Sequence, residues 1–186
     1  MNSSEAERLS ADQLRELVRT VPDFPAPGVQ FRDITTLIGH GHGLASCVAH
    51  LAEQTNAAGA DVIAGMEARG FIFGAAVAAY MGKGFVPIRK PGKLPVQTIG
   101  VNYALEYGSD RLEMDPTAIN DGAKVIIIDD LIATGGTALA SAKLLRQAGA
   151  HIEHALFVID LPDLGGANRL RADGLTVQAL MDFEGD

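Results

Sequence analysis

An α/β fold built on a largely parallel sheet follows from three features of the sequence. Short β-branched or apolar segments alternate with helical stripes along the chain. One of them, Lys124-Val125-Ile126-Ile127-Ile128, is apolar without alternation, the pattern of a strand covered on both faces. No repeat, low-complexity tract or linker divides the 186 residues, so a single domain over residues 1–186 is expected, with helices flanking a central sheet.

The elements follow in order. Ser10-Ala11-Asp12-Gln13 has capping-box spacing, and Leu14, Leu17, Val18 and Val21 recur at helical intervals. A first helix is therefore expected to run to about Val21, where Pro22 and the stretch to Gly28 stop it. Leu44, Val48 and Leu51 mark a second helix ending near Gly59, and Cys47 beside that stripe reads as a small buried thiol. A strand over Val62–Gly65, a buried helix over Phe71–Met81 and a strand over Phe85–Ile88 come next. A polar hairpin covers about Val96 to Met114. The strand Lys124–Ile128 leads through a loop from Asp129 to Gly136 into a helix over Thr137–Gln147, with Gly149 as its stop. Ile152–Ile159 and Leu175–Leu180 supply two more strands.

Composition narrows the function. The chain is 47% hydrophobic and 20% charged, which is ordinary globular material. Its net charge of −8 opposes general nucleic-acid binding, which needs basic surface. A small anion is still accessible to it, because backbone dipoles and a few basic side chains suffice. Cys47 is the sole cysteine, so no disulfide forms within the chain. Met1–Thr20 lacks the pattern of a signal peptide, and no apolar run approaches the roughly 18 residues that span a bilayer. The expectation is a soluble cytosolic protein with no nucleic-acid or membrane partner. His40 with His42, and His151 with His154, lack cysteine or acidic companions at a metal-ligand spacing and read as surface or turn residues.

The stretch from Val125 to Thr137 carries the chemistry. It sets Asp129 and Asp130 at the carboxyl end of a buried strand, then Leu131-Ile132-Ala133-Thr134-Gly135-Gly136-Thr137, then a helix. Ligands of open α/β sheets bind at that edge, where a helix N-terminus offers unpaired N–H groups to an anion. Gly135 and Gly136 let a phosphate approach the backbone, and Thr134 and Thr137 add hydroxyl donors. Carboxylates there would repel a phosphate unless they face ribose hydroxyls or a hydrated cation. A ligand with a phosphate beside a polyol satisfies both halves. No Lys follows the glycines and the loop is not G-x-G-x-x-G, so the two common nucleotide-loop readings are weak here.

This segment resembles the phosphoribosyl pyrophosphate (PRPP) signature of type I phosphoribosyltransferases. The resemblance implies that Ala133, Thr134, Gly135, Gly136 and Thr137 cradle the 5-phosphate, and that Asp129 and Asp130 contact the ribose hydroxyls. Other segments resemble the adenine-using members of the family. In Phe24-Pro25-Ala26-Pro27-Gly28-Val29-Gln30-Phe31-Arg32-Asp33-Ile34, the resemblance implies that Phe31 stacks on the base. Backbone groups near Gln30 and Arg32 would read the purine edge, and Phe24 is expected only to pack the arm. Gln30 stands where the family often has an aliphatic residue.

Gly65-Met66-Glu67-Ala68-Arg69-Gly70-Phe71 resembles the pyrophosphate loop, with a non-proline cis peptide implied at Glu67–Ala68 and Arg69 on the pyrophosphate. Arg89-Lys90-Pro91-Gly92-Lys93 resembles the entry to a flexible lid over about residues 90–115, with Arg89, Lys90 and Lys93 as an anion clamp. Leu105-Glu106-Tyr107-Gly108 matches the same lid, where Glu106 would exchange a proton with the purine and Tyr107 would close the site on PRPP. Leu161 in Leu161-Pro162-Asp163-Leu164-Gly165-Gly166 would pack on the base opposite Phe31. The implied reaction converts adenine and PRPP to AMP and pyrophosphate in purine salvage. Mg²⁺ would be carried by PRPP rather than ligated directly by the protein, and a homodimer is implied, with the basic loop near the partner's site. The segment 1–34 then serves as an N-terminal helix and adenine-side arm. Two rival readings remain: a phosphoribosyltransferase for another base, which Phe31-Arg32-Asp33 and Leu105-Glu106-Tyr107 oppose, and a PRPP-sensing regulator, which the net charge opposes.

Overall fold

Ser10 caps helix α1 (Ala11–Glu16) in the computed structural model of the chain, which describes residues 8–105 and 108–185. The Ser10 hydroxyl accepts from the Gln13 N–H at 3.3 Å, and the Gln13 side chain accepts from the Ser10 N–H at 2.9 Å, closing the capping box that the spacing predicts. The helix is shorter than expected. It stops at Glu16, and Val21 lies instead in strand β1 (Arg19–Pro22), opposite Phe31 of β2 (Gln30–Asp33). Thr20 and Val21 are β-branched, and a cross-strand partner outweighs the weak helical preference of such residues.

Helix α2 (Thr35–Ile38) leads into α3 (Gly41–Ala57), whose first turn is capped by His40: its Nδ1 accepts from the Gly43 N–H at 3.0 Å. The chain continues through β3 (Val62–Met66), α4 (Gly70–Met81) and β4 (Gly84–Ile88). The hairpin β5 (Ile99–Leu105) and β6 (Gly108–Met114) precedes β7 (Lys124–Ile132), α5 (Gly136–Gln147) and β8 (His151–Asp160). Helix α6 (Gly166–Ala172) and β9 (Thr176–Asp182) complete the order.

Five strands pair in parallel in the order β4-β3-β7-β8-β9. Ile126 and Ile128 of β7 belong to a buried cluster with residues of α1, α3 and α4, whereas Val125 and Ile127 join a second cluster with α5, α6 and the hairpin. Both faces of β7 are thus covered, which is why its sequence does not alternate. Cys47 is fully buried in the first cluster, and burial pushes its thiol up to about 12.

Strand β7 is longer than its apolar run predicts. Asp129 pairs with Phe157 and Ile132 with Asp160, so both acids stand within the ladder rather than beyond it. The reason is β8, which runs alongside to Asp160 and keeps the β7 backbone hydrogen-bonded. From β4 at one edge the chain crosses back over β3 to reach β7. The connections after β3 and β7 therefore leave towards opposite faces, into α4 and α5, and open a crevice between them at the carboxyl ends of the strands.

Candidate active site

That crevice holds a cavity of about 250 Å³, lined by Glu67, Ala68 and Arg69 on one side and by Asp129–Ala138 on the other, with Phe157 below. The loop Ala133–Gly135 turns the chain from β7 into α5. Gly135 takes φ 78° as the residue before the helix, a left-handed conformation that favours glycine. The loop's carbonyls are held from behind: Ala133 O accepts from the Gly166 N–H at 3.0 Å, and Thr134 O accepts from Arg169 Nη1 at 2.6 Å. Among the described residues no side chain caps α5, so its first N–H groups are open to an anion. All five predicted loop residues, Ala133, Thr134, Gly135, Gly136 and Thr137, line the cleft.

The acid pair faces the loop that follows β3. Arg69 Nε pairs with Asp130 Oδ2, and Asp130 is only 5% exposed. Asp129 Oδ1 accepts from the Asp130 N–H at 2.9 Å. Burial, and next the charge of Asp130, push the Asp129 carboxyl well above the usual range. Burial pulls the Arg69 guanidinium down, but the hydrogen bond and charge of Asp130, with the charges of Asp129 and Asp33, outweigh it and raise its pKa. One guanidinium thus faces two carboxyl groups beside the Ala133–Thr137 loop. Room for Asp129 depends on Gly70, where a Cβ would lie 2.5 Å from Asp129 Oδ1.

The peptide Glu67–Ala68 is cis, as the resemblance implied. Glu67 Oε2 accepts from Arg89 Nε at 3.1 Å and from the Lys90 N–H at 3.0 Å. Lys90 Nζ pairs with Asp110 of β6, and Lys93 is exposed. None of the three predicted clamp cations lines the 250 Å³ cleft; Arg89 and Lys90 are tied to carboxylates beside it.

In the N-terminal arm, Phe24 is 52% exposed and meets Phe31 edge-on, with ring centroids 5.1 Å apart. Pro22 has no N–H, so Pro22 opposite Gln30 is a non-hydrogen-bonded pair. By alternation the main-chain N–H and C=O of Gln30 and Arg32 point away from β1, leaving a free donor–acceptor edge on β2. The Arg32 side chain is engaged elsewhere: its guanidinium donates to Thr20 Oγ1 at 2.8 Å and to the carbonyls of Glu184 and Gly185 at 2.9 and 2.8 Å. Leu161 follows β8 directly, its N–H donating to Ile132 O at 3.0 Å. Phe31 and Leu161 do not line the cleft that holds the loop and the acids. Glu106 and Tyr107 lie outside the described residues.

Reading the sequence missed the residues that support this machinery. Glu67 anchors the basic segment, Gly70 makes room for Asp129, and Gly166 and Arg169 brace the Ala133–Thr137 loop. A glycine directly after Arg69 and another after Gly165 were the visible signals.

Strand, acid pair and glycine–threonine loop at a sheet switch point match a known class: residues 36–171 fit the model of the phosphoribosyl transferase domain, and the chain belongs to that family. Its relatives there include adenine phosphoribosyltransferases. The one from Novosphingobium aromaticivorans is 72% identical over 177 residues, covering 95% of this chain and 99% of its own length. That from Erythrobacter litoralis is 68% identical over the same span. Among solved structures, the adenine phosphoribosyltransferase of Thermoanaerobacter pseudethanolicus superposes with a TM-score of 0.88 at 41% identity, covering 94% of this chain and 100% of that one. The Saccharomyces cerevisiae enzyme, solved with an iminoaltritol bisphosphate and adenine, gives 0.85 at 37% identity, covering 92% and 98%.

Proposed function

We propose that this chain is an adenine phosphoribosyltransferase, transferring ribose 5-phosphate from PRPP to N9 of adenine with release of pyrophosphate. The observation that carries the reading is the juxtaposition of the uncapped α5 N-terminus with the Asp129–Asp130 pair across one cleft. The loop Ala133–Thr137 takes the 5-phosphate, and the acids orient the ribose 2- and 3-hydroxyls. Arg69 binds the pyrophosphate, joined by Arg89, Lys90 and Lys93 as the segment over 90–115 closes. The outward main chain of Gln30 and Arg32 supports base recognition, since a donor and an acceptor on one edge discriminate an exocyclic amine from a carbonyl. Phe31 and Leu161 enclose the ring.

The bond from C1 to the pyrophosphate oxygen breaks, the bond from C1 to N9 forms, and the N9 proton leaves. Positive charge develops at C1 between these events, so alignment of base and leaving group, with cations on the leaving group, lowers the barrier. Glu106 gives a proton to N7 as the N9 proton passes to water and takes it back once the bond from C1 to N9 has formed, and Tyr107 helps to exclude bulk water. Mg²⁺ fits the acid pair: a hard cation held by PRPP oxygens would favour the charged form of Asp129, which burial and the charge of Asp130 disfavour. Bound to PRPP, it would offset charge on the pyrophosphate.

The chain acts as one domain in the cytosol, where the free thiol of Cys47 is stable. It self-associates as a homodimer, and the outer face of α4 supports this: that helix is apolar all round, with Ile72 39% and Tyr80 67% exposed.

Two variants test the site. Arg69→Ala removes a charge-assisted contact to the pyrophosphate, so kcat/KM for PRPP falls about 10–100-fold, mostly through KM. Glu106→Ala lowers kcat and leaves PRPP binding nearly intact. Equal and negligible effects from both would place the site elsewhere.

A further inference from the structure

The ammonium of Lys90 is held away from the cleft. It pairs with Asp110 on β6, and Lys90 is not among the residues that line the 250 Å³ cavity. Asp110 is itself fixed: Oδ2 also accepts from the Tyr103 hydroxyl at 3.2 Å, and Oδ1 accepts from the Arg111 N–H at 2.7 Å. Tyr103 and Asp110 face each other across the β5–β6 ladder. The Tyr103 hydroxyl in turn accepts from Thr137 Oγ1 at 3.4 Å, in the first turn of α5. One hydrogen-bonded chain therefore runs from Lys90 through the hairpin to Thr137. Both of its ends are groups that the proposed function assigns to PRPP, one to the pyrophosphate and one to the 5-phosphate.

We propose that Asp110 is a positioning residue acting through Lys90: an internal anion that holds the ammonium while the cleft is empty, yields it to the pyrophosphate of PRPP, and recovers it as product pyrophosphate leaves. The inference rests on Lys90 and Thr137 being PRPP ligands. A carboxylate and a pyrophosphate oxygen compete for one ammonium by the same charge-assisted hydrogen bond. The side chains of Lys90 and Asp110 are 39% and 25% exposed, so their pair is weak enough to exchange. Thr137 has one hydroxyl proton, and giving it to a phosphate oxygen takes it from Tyr103. Substrate thus loosens the chain at both ends.

Asp110→Asn removes the charge and keeps the shape. The KM for PRPP and the inhibition constant of pyrophosphate each fall about two- to fivefold, the scale of a part-exposed ion pair. The kcat falls with them as pyrophosphate leaves more slowly, while the KM for adenine is unchanged. Asp110→Ser, a smaller neutral side chain, gives the same pattern, and Asp110→Glu restores the wild-type values. Adding Asp110→Asn to Lys90→Ala leaves the raised PRPP KM of Lys90→Ala unaltered. A purely structural Asp110 gives the opposite sign, with a raised PRPP KM and a lower melting temperature. Neutral variants whose PRPP KM and pyrophosphate inhibition are unchanged or weakened overturn the proposal. A wild-type protein that forms no AMP from adenine overturns instead the reading beneath it, and calorimetric titration with pyrophosphate separates the two failures without turnover.

Discussion

A methyl group added at Gly166 would lie 2.2 Å from the carbonyl oxygen of Ala133, closer than any real Cβ contact. The start of α6 therefore presses directly on the Ala133–Thr137 loop, and the loop's shape depends on that absent side chain. Gly166→Ala is expected to cost about 1–3 kcal/mol, the range of overpacked sites, and to weaken PRPP binding with it. Thermal melting together with PRPP titration checks both. Asp129 illustrates the opposite balance, stability given up for a polar wall. Its raised pKa means that the charged form is disfavoured in the fold. The resulting destabilisation is absent below the ordinary value of 3.8 and grows as pH rises through the folded pKa. Asp129→Asn should therefore melt higher than wild type at neutral pH, by about 2–4 °C for each 1 kcal/mol relieved, with the advantage shrinking towards pH 4. The same variant should bind PRPP less well. A melting advantage that does not change with pH would contradict this account.

Elements were legible in the sequence where one force decided them. The core helices and the strands over 62–66 and 84–88 were set by apolar spacing, and the structure has them within a residue or two. Spacing misled where pairing decided: Val21 continues the helical stripe of Leu14 and Val18, yet its partner Phe31 lies ten residues on and draws it into β1. The same holds for β7, whose last residues are kept in the ladder by β8. The short β2–α2 junction makes a testable contribution of its own. Hydrogen bonds from Thr35, and next the Arg19 guanidinium, hold the Asp33 carboxyl down to about 2 from 3.8. A lowered carboxylate pKa stabilises the fold fully above 3.8, and that contribution is lost as pH falls through 2. Asp33→Asn should accordingly flatten the acid limb of the stability curve between pH 4 and 2, measured by chemical denaturation. An unchanged limb would show that the arm is not held through Asp33.

At the scale of the whole molecule, the glycine–threonine loop was legible because its chemistry is local: acids, threonines and glycines adjoin in sequence and remain adjoining in space. Its supports were not, because Glu67, Gly70, Gly166 and Arg169 reach the site through the crossing of the chain from β4 back over β3 to β7. The clamp cations were visible as a cluster, but their pairing with Glu67 and Asp110 depends on where the hairpin packs. The sheet thus brings a glycine–threonine loop, an acid pair and a basic segment to one edge, the parts that the proposed adenine phosphoribosyl transfer calls on. Incubating the protein with PRPP and Mg²⁺, and with adenine, guanine, hypoxanthine, xanthine or uracil in turn, tests this most directly. Adenine should yield AMP and pyrophosphate in equal amounts and far faster than any other base yields its nucleotide; conversion of another base while adenine gives no AMP, or no conversion at all, would contradict the account.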